Sequence, residues 1–328
     1  MNTWGNKIKL SIFGESHGPA IGIVMDGLPA GVPLDLDLIR SEMLRRAPGK
    51  SKTATSRNES DEVQILSGFF EGTTTGTPLC ATIVNTDTRS EDYHQTVLRP
   101  GHADLSIIAK HQGFADYRGG GHSSGRLTAM LVFAGAVAKQ ILAQQDIEVR
   151  ANIQEIGGVK DSEQFEKTIL DAKENHDSVG GIIECIVNNV PPGIGDPFFY
   201  SIESSLSLLL FSVPSVKGVE FGDGFKLASM RGSQANDAFY LDDSENQVKT
   251  KTNHNGGING GISNGMPLVF RVVIKPTPSI GIEQETVDVE SMTNVKASIH
   301  GRHDPCIVPR AVPVIEACAA LCLLDYLL

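Results

Sequence analysis

Apolar and polar residues alternate from Lys7 to Phe13, and the run IGIVMDG (21–27) has the composition of an antiparallel partner strand. A helix is predicted from about Asp35 to Arg46, where Leu36, Ile39 and Met43 share one face. Strands follow near 62–67 and 79–84. Two later segments differ in kind. Residues 126–144 are apolar nearly all round, through Leu127, Ala129, Met130, Leu131, Val132, Phe133, Ala134, Ala136, Val137 and Ala138, and residues 311–328 repeat that character, with Pro313 near the first turn. A helix without a polar face belongs in a protein's centre or at an oligomer interface. Between them, 163–176 and 201–212 read as helices, and 182–190 and 267–275 as strands.

This order contains an internal echo. IVMDGLPAGVP (23–33) resembles CIVNNVPPGIG (185–195), TGTPLCATIV (75–84) resembles SNGMPLVFRVV (263–273), and PGHAD (100–104) and GRHDP (301–305) each precede an apolar helix. Short apolar strands can look alike by chance, but the preserved order favours two related halves, about 1–150 and 151–328, of a single domain. The expected fold class is α+β: apolar central helices sandwiched between antiparallel β-sheets. Strict β–α–β alternation is missing, which disfavours a parallel doubly wound sheet.

Composition narrows the setting. At 328 residues the chain can bury one large core or two modest ones. No uninterrupted apolar run of about 18 residues occurs, so no membrane partner is expected. The first residues do not read as a signal peptide. The cysteines (Cys80, Cys185, Cys306, Cys318 and Cys322) show no zinc-like spacing and sit mostly in apolar runs, so a reduced, cytoplasmic setting is expected. A net charge of −11 argues against nucleic acid as the main partner. Against that acidic background, Arg45, Arg46, Lys50, Lys52 and Arg57 follow one another with no acid between them. They make either a solvated basic loop or an anion site.

The stretch FGESHG (13–18) fits the G-x-S-x-G pattern of a hydrolase nucleophile elbow. An elbow needs a helix after its turn, whereas Pro19 to Val24 reads as strand, so Ser16 lacks half its context. His17, in a glycine-flanked loop, suits general acid chemistry near neutrality, the alternative being a hydrogen-bonded structural histidine. GGGHSSG (119–125), bracketed by Arg118 and Arg126, leads straight into an apolar helix. It offers either simple capping or an anion cradle of free N–H groups. In GRHDPCIVPRAVP (301–313), His303 and Asp304, with His300, have metal-ligand chemistry, but Arg302 and Arg310 beside them would repel a divalent ion. No metal is expected. The cationic loops and glycine-rich cradles, with His17 and His102 as candidate acids, suggest an enzyme for a small, multiply anionic substrate with a phosphorylated cofactor.

FGESHG, RPGHAD (99–104), DYRGGGHSSGR, NHNGGINGGISNG and GRHDPCIVPRAVPVIEA occur in the order found in chorismate synthases, and the resemblance runs from Trp4 to Leu328. It implies a carbon–oxygen lyase that makes chorismate from 5-enolpyruvylshikimate 3-phosphate by 1,4-anti elimination of phosphate and a C6 hydrogen. This is the last common step of the shikimate pathway to the aromatic amino acids, and it uses reduced FMN without net redox change. The family's functional histidines fall on His17 and His102, one to protonate the departing phosphate and one to keep the flavin in its working protonation state. Asp304 falls on the family's aspartate, a relay for the C6 proton by way of flavin N5, with Ser16 and Ser124 as supporting serines. FMN contacts are implied at His122, Ser123, Ser124, Pro214, Ser215, Gly260, Lys275, Pro276, Thr277, Pro278, Ser279 and Arg302. Arg46 and Lys52 match positions assigned to NADPH, though they could equally hold the substrate's anions, and Arg126 is grouped with them. A homotetramer is the usual assembly.

The chain departs from the family pattern at His122 (usually arginine), Leu127 (usually glutamate), Lys52 (usually arginine) and Pro214-Ser215 (usually Asn-Ala). Replacing arginine by lysine loses bidentate geometry. Alternative readings are a phosphate- or flavin-binding protein without lyase activity, or a serine hydrolase using Ser16. The flavin is reduced either by the chain itself with NADPH or by a separate reductase.

Overall fold

In the computed structural model, which describes residues 2–49, 61–86, 95–244, 246–299 and 304–328, the expected opening pair of strands is present. Strands β1 (Lys9–Gly14) and β2 (Ala20–Asp26) pair antiparallel, with Leu10 opposite Met25 and Ile12 opposite Ile23. Helix α1 (Leu36–Arg46) starts where Asp35 caps it, accepting from the Asp37 and Leu38 N–H groups at 2.8 and 3.2 Å. Strands β3 (Gln64–Ser67) and β4 (Leu79–Val84) complete a sheet ordered Thr3–Trp4, β1, β2, β4, β3. Helix α2 (Asp104–His111) and the central helix α3 (Thr128–Ala143) follow.

The second half builds the same pattern. Strand β5 (Glu148–Ile156), helix α4 (Phe165–Glu174), strand β6 (Gly181–Asn188), helix α5 (Ile202–Ser212), strand β7 (Val216–Phe221) and strand β8 (Leu268–Ile274) lead to the second central helix, α6 (Val308–Leu327). The second sheet is ordered β5, β6, β8, β7, antiparallel throughout. That is the arrangement of β1, β2, β4, β3, with a helix after the second strand and a buried helix after the last.

Helices α3 and α6 pack on each other, α3 also against β2 and α6 against β5 and β6, so the helices fill the space between sheets as expected for α+β. Most residues of both are buried. Each fully buried leucine, isoleucine or phenylalanine contributes about 1.5–3 kcal/mol, and the sheets add Ile21, Ile23, Leu79, Ile183 and Phe270 to the same core. The run Arg118–Ala143 has the length and hydropathy of a membrane span, and 83% of its most apolar window is buried inside the fold.

The structure shifts some predicted boundaries. Helix α3 begins at Thr128 because Gly125–Leu127 forms a tighter 3-10 turn. Helix α6 begins at Val308, which puts Pro309 in its first turn and Pro313 inside the helix. Strands β5 and β7 and helix α2 were not anticipated. In β5, buried Val149 and Ala151 alternate with exposed neighbours, so the signal existed but was short.

Candidate active site

The loop Glu15–Gly18 connects β1 to β2, and the glycine-rich loop 118–124 lies against it. The Ser16 N–H donates to the Gly121 carbonyl at 3.1 Å, and His122 Nδ1 donates to the Gly14 carbonyl at 2.8 Å. Gly119, Gly120 and Gly121 have φ of 59°, 82° and 53°, the left-handed region that side chains avoid. Space demands glycine as well: a Cβ on Gly119 would sit 2.6 Å from His17 Cδ2 and 2.9 Å from Ser16 Oγ. Ser16 and His17 therefore rest directly on the glycine-rich backbone. Ser16 is buried and His17 half-buried. Ser124 caps the following turn by accepting from the Arg126 N–H at 3.3 Å, while His122 and Ser123 are exposed. The elbow reading fails on geometry: β2, not a helix, follows Gly18.

A second cluster forms around His102. Its Nε2 lies 2.7 Å from Ser279 Oγ, and Lys275 Nζ donates to the neighbouring Gly101 carbonyl at 2.7 Å. The Lys275 N–H donates to Ser215 O at 2.9 Å, so Pro214-Ser215, Lys275–Ser279 and His102 form one wall. Arg99 joins the clusters. Its guanidinium is ion-paired with Asp104 at 2.7 Å, and its Nη2 lies 4.0 Å from where a Cβ on Gly120 would be. Asp104 is held below the usual carboxylate range: burial opposes this, but the hydrogen bonds and charge of Arg99 outweigh it. A cleft of about 190 Å³, lined by Val97, Ile107, Tyr117 and Val289, opens beside Arg99 and Gly120.

Beneath the glycine-rich loop lies a buried ionic layer. Asp61, with a fully buried carboxylate, pairs with Arg46 at 2.9 Å and with Arg126. Arg46 also donates to the Gly125 carbonyl at 2.9 Å, Arg310 donates to the Arg46 carbonyl at 3.0 Å, and Arg310 is ion-paired with Asp304. Burial raises the Asp61 pKa, but the Arg46 and Arg126 charges outweigh it and keep the carboxylate ionised. Arg46 is pulled below its ordinary value, first by burial and then by the Arg310 charge. Arg46 and Arg126 thus face inward. They support the loop from below and project no guanidinium to its surface.

Of the residues picked from sequence, the structure brings together Ser16, His17, His122, Ser123 and Ser124 in one group and His102, Pro214, Ser215 and Lys275 to Ser279 in another. Asp304 joins the buried layer with Arg46 and Arg126. Gly260 stands apart. Its neighbour Gly261 packs on Ser201, the N-cap of α5, while Ser215 lies beyond the other end of that helix, roughly 16 Å along its axis. Lys52, Arg302, His300 and His303 lie outside the described residues. Among the described residues no group of three or more acidic, histidine or cysteine side chains could hold a metal ion. Sequence reasoning missed Asp61 and Asn85, whose partners are remote in the chain.

Two features fit the wall around Lys275–Ser279 and the glycine-rich loop to a flavin phosphate or ring. The Thr277 hydroxyl is buried without a hydrogen-bond partner among the described residues, and Gly125 has open space where a Cβ would stand.

Comparison with known proteins points one way. The chorismate synthase family model matches residues 8–328. The chorismate synthase of Methanothermobacter thermautotrophicus is 44% identical, the alignment covering 100% of this chain and 94% of that one. Those of Methanocaldococcus jannaschii (43%; 100% and 96%) and Archaeoglobus fulgidus (46%; 100% and 97%) are similar. A crystal structure of chorismate synthase superposes with a TM-score of 0.77 at 28% identity, covering 99% of this chain and 92% of that one.

Proposed function

The chain belongs to the chorismate synthase family, and we infer that it converts 5-enolpyruvylshikimate 3-phosphate to chorismate by 1,4-anti elimination, a carbon–oxygen lyase reaction that requires a reduced flavin. The carrying observation is the full-length match together with a histidine-bearing loop seated on a glycine-rich cradle.

We propose that the flavin is FMN, held by Lys275–Ser279, Pro214-Ser215 and His122–Ser124, with Arg302 as a further contact; Gly260, at the far end of α5 from Ser215, is left out of this set. When bound, the reduced flavin supplies electron density that weakens the substrate's C–O bond. His17 donates the proton that the leaving phosphate takes up. His102, paired through Nε2 with Ser279, holds a proton at the cofactor wall. Asp304, ion-paired with Arg310, is the proposed relay for the C6 proton. Ser16 and Ser124 support the loop that carries this chemistry, and Arg46, Arg126 and Lys52 supply positive potential for the substrate or NADPH. Stabilising the developing anion is an electrostatic task of the oxyanion-hole kind.

We further propose cytoplasmic residence, a single domain of two related halves, reduction of the flavin by NADPH or a separate reductase, and a homotetramer. Phe198, Phe199 and Phe225, each at least 84% exposed, support the assembly. Light scattering at a monomer's mass would remove the tetramer proposal. The function itself is tested by incubating the protein anaerobically with 5-enolpyruvylshikimate 3-phosphate and reduced FMN. Chorismate and phosphate should form in equal amounts, and absence of both would overturn the reading. His17→Ala and His102→Ala should each lower turnover at least about tenfold, within the usual range for acid–base residues.

A further inference from the structure

Asn85 follows β4 directly and lies outside every motif that carries the family resemblance. Its side-chain amide donates to the Glu15 carbonyl at 3.0 Å and to the Gly18 carbonyl at 2.8 Å, on either side of Ser16 and His17. Its own N–H donates to the Pro19 carbonyl at 3.1 Å. The amide oxygen accepts from Arg126 Nε at 3.2 Å, and Arg126 is ion-paired with the buried Asp61.

These partners leave the amide a single orientation. The NH2 must face the carbonyls and the oxygen must face the guanidinium, because the flipped amide would set oxygen against oxygen and donor against donor. Asp61 in turn fixes Arg126, so the connection from the buried layer to the His17 loop has no loose joint. Among the described residues, the loop's other backbone-to-backbone ties are Ser16 to Gly121 at 3.1 Å and the internal turn from Gly18 to Glu15 at 3.1 Å, with His122 holding the preceding Gly14 carbonyl. None of these grips both ends of the loop.

We propose that Asn85 is a positioning residue that fixes His17 for proton donation by clamping both ends of its loop to the Arg126–Asp61 pair. The proposal rests on the reading of His17 as proton donor. A catalytic group misplaced by about 1 Å can cost about 10²-fold in rate. Asn85→Asp keeps the shape but turns an acceptor toward the Glu15 and Gly18 carbonyls. It should lower kcat about 10²-fold, change KM for the substrate less than about threefold, and move the limb of the pH–rate profile that belongs to His17. In a His17→Ala background, the same change should reduce the residual rate no further. In the flavin-free protein, NMR titration of the His17 imidazole should shift between wild type and Asn85→Asp.

A folded Asn85→Asp variant with wild-type kcat and pH profile would overturn the proposal. So would an equal loss in the wild-type and His17→Ala backgrounds, since a merely structural residue acts without His17. Asn85→Ala, which adds no charge, is read in the same way if the aspartate variant does not fold. Full activity in His17→Ala would instead refute the proton-donor reading, while the imidazole titration still reports whether Asn85 holds the ring.

Discussion

Gly119 is the position at which the His17 loop and the glycine-rich loop come closest. Its left-handed backbone and the 2.6 Å approach of His17 leave no room for a methyl group. Gly119→Ala should therefore displace His17 and lower turnover by about 10²-fold, while circular dichroism shows a folded protein. Ser279 is the corresponding test at the other wall. Ser279→Ala removes the hydroxyl 2.7 Å from His102 Nε2 and should move a limb of the pH–rate profile, measured with substrate saturating. An unmoved profile would detach Ser279 from His102. The residues that such tests touch were unequally visible in the sequence. His17, His102 and the triple glycine stand in dense, unusual motifs. Asp61 and Asn85 are ordinary polar residues near strand ends, and only tertiary contacts to Arg126 and the His17 loop give them meaning.

Among elements, the contact between α3 and α6 leaves little slack. A Cβ on Gly135 would lie 2.2 Å from the Ala317 Cβ and 2.5 Å from its Cα, so the helix backbones meet there with almost nothing between them. Gly135→Ala should cost about 1–3 kcal/mol through overpacking despite its better helix propensity. Urea unfolding measures it, and an unchanged midpoint would show that the helices can part cheaply. Burial also raises the Cys318 and Cys322 thiols above their ordinary values, Cys318 to about 12. Neither should react with a thiol reagent until the protein is unfolded. Both helices were legible because an all-round apolar run of that length has few other destinations. Strands β5 and β7 were harder, since short half-buried alternation competes with loop and helix patterns until a sheet partner is known.

At the scale of the molecule, one carboxylate ties the central layer together. Glu316, almost wholly buried in α6, accepts from Arg45 of α1 at 2.6 and 2.9 Å, from Lys139 of α3, and from the Ala151 N–H of β5 at 2.9 Å. Burial pushes its pKa up, but the hydrogen bonds of Arg45 and the charge of Lys139 prevail and hold it below the usual carboxylate range. A depressed carboxylate stabilises the fold fully above its unfolded value and loses that contribution as pH falls through the folded one. The stability gap between wild type and Glu316→Gln should thus be full above about pH 5. It should close in more acidic solution, as followed by denaturant titrations across pH. A gap that stays constant with pH would place the stabilisation elsewhere.

The same helix makes another long-range tie. Near its end, Asp325 accepts the backbone N–H groups of Asn6, Lys7 and Ile8 at 2.7–3.0 Å, closing contacts across as many as 319 positions of chain. Contacts so remote in sequence slow folding, because most of the chain's freedom must be surrendered before they form. As the polypeptide leaves the ribosome, the inner face of the second sheet, at β5 and β6, waits uncovered for α6, and aggregation competes throughout that wait. Synthesis speed and chaperone supply, more than any single contact, should decide how much of this protein reaches its native state.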